Sequence, residues 1–135
     1  MLYLLDTNAV IKMLYGKHVS YVLKAFYTQK IQLIYHDDIL NEYVEVAHRL
    51  KDYVSPEKST AFFVLLQEYG LEVMRLGKSP ILTDHDDEIF VKILNSPEFK
   101  GQKIILVTDN QKHFKDVKEI RMINFKSFTE IIRKL

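Results

Sequence analysis

Acidic residues stand at four places where the chain passes between an apolar run and a helical pattern, and together they suit a hard divalent metal ion. Asp6 follows the run Leu2–Leu5 and precedes Thr7 and Asn8. Glu42 lies within a helical pattern beginning at Asp37 or Asp38. Asp84, Asp86, Asp87 and Glu88 crowd one helix start, and Asp109 follows Lys103–Thr108. Singly, each acid is accounted for by capping, since Asp, Thr and Asn all close helix N-termini. The helix dipole also favours acids in a first turn, by about 0.3–1 kcal/mol each. Four acids between Asp84 and Glu88 exceed what capping needs, and crowded carboxylates raise one another's pKa unless a cation is present. The chain has no cysteine, so oxygen ligands point to Mg²⁺ or Mn²⁺ in preference to zinc. The chemistry such a site would support is metal-assisted phosphodiester hydrolysis, in which one or two ions activate a water and stabilise charge on the phosphate.

The helical wheel separates Glu42 from Glu45. The apolar set around them is Ile39, Leu40, Tyr43, Val44, Val46, Ala47 and Leu50. At about 100° per residue, Glu42 lies about 40° from Val46, on the border of that stripe. Glu45 lies opposite it with Arg49 four residues on, the spacing of a solvated ion pair. Glu42 is therefore the acid expected to face a cleft. His85 reads as an ordinary surface histidine.

The elements that must position these acids alternate in type. Strands are expected at Leu2–Leu5, Ile31–Tyr35, Leu71–Leu76, Lys103–Thr108 and Arg121–Phe125, from short apolar or β-branched runs. Helices are expected over Ala9–Leu14, Val19–Thr28, Asp37 or Asp38 to Tyr53, Pro56–Tyr69, Thr83 or Asp84 to Asn95, and from a Ser127 cap to Leu135. A short turn is expected at Gln111–Phe114. Strands alternating with helices predict an α/β fold, a three-layer α/β/α sandwich on a mostly parallel sheet of about five strands. The acids at strand ends would then share its carboxyl edge.

The 135 residues fit one domain spanning 1–135, with no internal repeat or linker. Nineteen basic against eighteen acidic side chains argue against a strongly basic nucleic-acid binder, while leaving room for local patches. No apolar run approaches the roughly 18 residues of a membrane span. Met1–Asp6 reads as a strand and not a signal peptide, so a cytoplasmic protein is expected.

At these residues the chain resembles the PIN-domain ribonucleases, most of all the toxins of VapBC-type toxin–antitoxin pairs. Leu5-Asp6-Thr7-Asn8 is similar to the family's opening motif, with a metal-binding Asp supported by Thr and Asn. Asp38-Ile39-Leu40-Asn41-Glu42-Tyr43 resembles the second motif, whose Glu falls on Glu42. Asp84–Phe90 resembles the third, with its metal-binding Asp placed on Asp87 and Asp84 or Asp86 as alternatives. The fourth motif departs: Thr108 is followed by Asp109, and Asn110 stands where an acid is usual. The resemblance covers nearly the whole chain. It implies a Mg²⁺- or Mn²⁺-dependent endoribonuclease with Asp6, Glu42, Asp87 and Asp109 as catalytic metal ligands and Thr108 in support. It further implies an RNA substrate, a homodimer and a cognate antitoxin. Lys12, Lys17, Arg49, Lys112 and Lys115 are the basic residues expected near that edge to meet RNA.

Two aspartate-based phosphoryl-transfer folds fit less well. Haloacid-dehalogenase-type phosphatases need a second Asp two residues after the first, where this chain has Asn8. Response-regulator receivers want an acidic pair after the first strand. The other alternative is a PIN-like binding module for RNA or a protein partner that keeps the fold without the chemistry.

Overall fold

The two least polar strand runs occupy the middle of the sheet. In a computed structural model describing all 135 residues, β1 (Leu2–Leu5) and β4 (Ile104–Val107) are buried at every position. They pair in parallel, Leu2 beside Ile104 through Leu5 beside Val107. Continuous apolar strands of this kind are buried on both faces. Around them lie β2 (Gln32–Tyr35), the two-residue β3 (Leu71–Glu72) and β5 (Arg121–Ile123). The order is β3-β2-β1-β4-β5, all parallel.

The chain thus runs outward from β1 through β2 to β3, then returns to lay β4 on the other side of β1. Right-handed crossovers put α1 (Thr7–Tyr15), α2 (Val19–Tyr27), α3 (Asp37–Arg49) and α4 (Pro56–Tyr69) on one face. The same rule puts α5 (Glu88–Leu94) on the other, and α6 (Phe125–Arg133) packs back against α2. Phe128 of α6 meets the ring of Tyr3 edge-on at 5.1 Å, tying that layer to β1. The outcome is the expected α/β/α sandwich. Its strand order reverses between β1 and β4, and the crevice beyond the carboxyl ends at such a reversal is where ligands bind.

Several boundaries differ from expectation. The segment after Thr83 does not open directly as an α-helix. The Asp84 carboxylate accepts from Asp86 N–H, and His85–Asp87 forms a 3₁₀ turn before α5. α3 is capped by the imidazole of His36, which accepts from Asp38 N–H, and ends at Arg49 with a turn through Val54. α6 is capped by Asn124, not Ser127: the Asn124 side chain accepts from Ser127 N–H at 2.7 Å. β3 stops after Glu72 because Glu98 takes the next two free backbone donors, Met74 N–H and Arg75 N–H. The loop that follows presses Gly77 against α5, where a Cβ would sit 2.1 Å from the Asn95 carbonyl oxygen. Only glycine fits there.

Candidate active site

Asp6 ends β1 and caps α1. Its backbone N–H continues the β1–β4 ladder to Val107 O, and its carboxylate accepts from Ala9 N–H at 2.7 Å. Only 7% of the residue is exposed. Burial pushes its carboxyl above the usual range, the nearby Thr108 hydroxyl and Ala9 N–H oppose the shift, and the charges of Asp109 and Asp87 add to it.

Glu42 reaches the same place from α3. The next residue, Tyr43, is buried, and its hydroxyl donates to the carbonyl of Leu5, the residue before Asp6. This bond pins α3 to the end of β1 and so sets Glu42 beside Asp6. Burial raises the Glu42 carboxyl, with further contributions from Asp86, Asp87 and Glu45. The Thr7 hydroxyl counters part of that rise. It forms no hydrogen bond of ordinary geometry, yet its oxygen is fully buried beside the carboxylate.

The third contribution comes from the 3₁₀ turn. In 3₁₀ geometry residues i and i+3 eclipse, which brings Asp84 and Asp87 onto one side. Asp87 accepts from or shares a proton with His113 at 3.0 Å, and ligand atoms of Asp84, Asp87 and His113 lie within 4.8 Å of one another. That span is about twice a metal–oxygen distance. The Asp87 carboxyl is raised by burial and by Asp84, against a downward pull from His113.

These side chains line one cleft of about 340 Å³: Asp6, Thr7, Asn8, Glu42, Asp84, Asp86, Asp87, Asn110 and His113, with Val46, Arg49 and Phe90. Three carboxyls raised by burial and by neighbouring acids make a site whose charge a cation would neutralise. Oxygen donors predominate among the residues that line it. The oxygen-rich lining therefore fits a hard divalent ion, and Asp84, Asp87 and His113 are the lining residues whose ligand atoms come within 4.8 Å of one another.

Asp109 does not join them. Its carboxylate is bound by the Lys12 ammonium and by Phe125 N–H at 2.8 Å, at the start of α6. Those contacts hold it below the usual carboxylate range. It faces a second cleft with Lys12, His18, Lys126 and Arg133. Asn110 turns inward instead, its N–H held by the Thr108 hydroxyl at 3.0 Å. Asn110, and not Asp109, thus lines the acidic cleft, because Lys12 of α1 and the start of α6 bind the Asp109 oxygens. Lys12 is likewise occupied, and Lys17, Lys112 and Lys115 do not line the acidic cleft. The Glu45–Arg49 pair does not form, and Arg49 lines that cleft.

Two contributors were not legible beforehand. Tyr43 sits in the apolar stripe of its helix, with nothing local to mark its hydroxyl. His113 follows Asn110 by three residues in the short turn Gln111–Phe114, a spacing that could have signalled a shared side.

The PIN domain family model matches residues 3–112. One similar solved structure, at 2.2 Å, is of VapBC-1 from nontypeable Haemophilus influenzae. The likeness has a TM-score of 0.56 at 18% identity and covers 93% of this chain and 99% of that one. At that identity it speaks for the fold. No curated protein matches the sequence with significance. On the family match, which spans all four acidic positions, the chain belongs to the PIN domain family.

Proposed function

We propose that this protein is a Mg²⁺- or Mn²⁺-dependent endoribonuclease and the toxin of a toxin–antitoxin pair. PIN domains are generally nucleases. The observation that carries the reading here is the convergence of Asp6, Glu42 and Asp87 on one cleft, with all three carboxyls raised. These three would hold the ion, with Asp84 and His113 beside Asp87 and with Thr7, Asn8 and Asn110 lining the wall. A divalent ion bound there supplies a water of lowered pKa and stabilises charge on a phosphate. Asp6 caps α1 through one carboxylate oxygen and lines the cleft. Tyr43 fixes the spacing of Glu42 from Asp6, and His113 holds the orientation of Asp87.

The likeness to VapBC-1 supports an antitoxin as partner. A homodimer, an RNA substrate and a cytoplasmic site of action belong to the same reading. No helix is long and apolar enough to cross a membrane.

A second reading has one observation in its favour. Asn110 occupies the wall where an acid is usual, and Asp109 is bound elsewhere. That would suit a module that binds RNA or protein through the cleft without cutting.

The deciding experiment incubates purified protein, free of any antitoxin, with a long single-stranded RNA in Mg²⁺, in Mn²⁺ and in excess EDTA, alongside Asp6→Asn. Cleavage that requires metal and vanishes in the variant supports the nuclease. Folded protein that cuts under none of these conditions supports the binding module.

A further inference from the structure

Of the two basic side chains lining the acidic cleft, Arg49 stands apart. His113 is bound to Asp87. The other salt bridges of the molecule involve Lys12, His36 and His85. Arg49 has no carboxylate partner, although five acids (Asp6, Glu42, Asp84, Asp86 and Asp87) share the cleft with it. It also lines the adjoining depression with Asp38, Glu42, Glu45 and Asp86.

Its position follows from helix geometry. Arg49 lies seven residues after Glu42, about 20° from the same azimuth and about 10 Å further along α3. Helical side chains lean toward the N-terminus, so the guanidinium reaches back over the cleft that Glu42 enters. A nucleic-acid strand brings one negative charge per phosphate to a surface already carrying five carboxylates. A divalent ion offsets only part of that repulsion. A planar guanidinium with its donors unclaimed matches two phosphate oxygens at once, which a lysine cannot do.

We propose that Arg49 clamps a backbone phosphate of the RNA strand at the mouth of the acidic cleft, an inference that rests on the nuclease reading above. It is a substrate-binding residue, distinct from the residues that hold the ion.

The test measures binding of a fluorescently labelled single-stranded RNA by anisotropy, in Mg²⁺, on an Asp6→Asn background that removes turnover. Arg49→Gln, Arg49→Lys and Lys30→Gln are compared between 50 and 200 mM salt. Lys30 precedes β2 at the opposite edge of the sheet and controls for loss of a positive charge as such. Arg49→Gln is expected to weaken binding roughly tenfold and to flatten the log–log salt dependence by about 0.7, the amount for one phosphate contact on a single strand. Arg49→Lys should restore the slope and only part of the affinity, since charge is kept and the fork is lost. Unchanged affinity and slope in Arg49→Gln overturns the proposal, and so does an equal change in Lys30→Gln. Arg49 is exposed on the last turn of α3, and circular dichroism of each variant verifies the fold. Wild-type protein that binds RNA but never cleaves it would sink the nuclease reading alone, because the anisotropy comparison judges Arg49 without turnover.

Discussion

Asp6 and Asp109 follow neighbouring parallel strands at the same edge of one sheet, and the protein treats them oppositely. Asp6 is buried, spends one oxygen on the Ala9 N–H and faces other acids, so its carboxyl is raised. Asp109 is exposed, holds Lys12 and the first N–H of α6, and its carboxyl is lowered. One aspartate is kept where its charge is unfavourable, which is how a cation site is built. The other is satisfied within the protein and braces α1 against α6. A strand-end aspartate is therefore assigned by what the surrounding helices leave to its free oxygen.

Exchanging each aspartate for asparagine should break the comparison most sharply. Asp6→Asn is expected to lower metal-dependent RNA cleavage by more than about 100-fold, beyond the 10–100-fold typical of groups that only support a ligand. Asparagine still caps α1 well, and the repulsive charge is gone, so the metal-free variant should melt at or above the wild-type temperature. Asp109→Asn should do the reverse, keeping cleavage within about threefold. Its melting temperature should fall, reflecting about 0.5–1.5 kcal/mol for a charge-assisted bond at a partly exposed site. Loss of cleavage in Asp109→Asn at unchanged stability would restore Asp109 to the metal site.

His113→Gln is the next largest expected effect. Without the imidazole, Asp87 loses its downward pull and its fixed orientation, and metal affinity by calorimetry should drop about 10-fold or more. Unaltered affinity would mean that Asp87 is oriented by its backbone alone. Tyr43→Phe follows. It strands the buried Leu5 carbonyl at a cost of about 1–3 kcal/mol and should loosen the spacing of Glu42 from Asp6, lowering cleavage together with stability. Cleavage at the wild-type level in the folded variant would show that packing alone holds α3 in place.

The smallest expected effect is the pH dependence of stability without metal. Asp6, Glu42 and Asp87 have folded pKa values above their unfolded ones. Their contribution is fully present below the ordinary carboxylate range and is lost as pH rises through the raised values. Asp109, lowered when folded, contributes above its unfolded value and loses that contribution as pH falls through the lowered one. In EDTA the melting temperature should therefore rise as pH is brought from neutral toward the carboxylate range, then fall at lower pH. Saturating Mg²⁺ should stabilise the protein at neutral pH, by about 2.7 kcal/mol at 100 times Kd, and flatten the upper slope. A melting temperature that only falls on acidification, with and without metal, would mean that the cleft acids do not repel one another.

Much of this molecule is written in local pattern. The apolar runs Leu2–Leu5 and Ile104–Val107 carry no alternation, so they belong at the centre of a parallel sheet, where both faces are covered. Pro56 and Gly70 bound α4 because proline suits a first helical turn and the Gly70 N–H closes onto Leu66 O. Asp6, Glu42 and the crowded acids from Asp84 to Glu88 stand out because their number and boundary positions exceed what capping needs. What the chain could not show by itself is which way each group turns once distant elements meet it. The fate of Asp109 depends on Lys12, 97 residues away, and on the start of α6. Tyr43 acquires its function only when α3 crosses the end of β1, and His113 only when its turn meets Asp87. Arg49 stands at helical spacing for a pair with Glu45, yet in the folded chain it overlooks the acidic cleft. Element types and their alternation follow from local periodicity. Partners across the sheet follow from the strand reversal between β1 and β4, which no stretch of sequence contains.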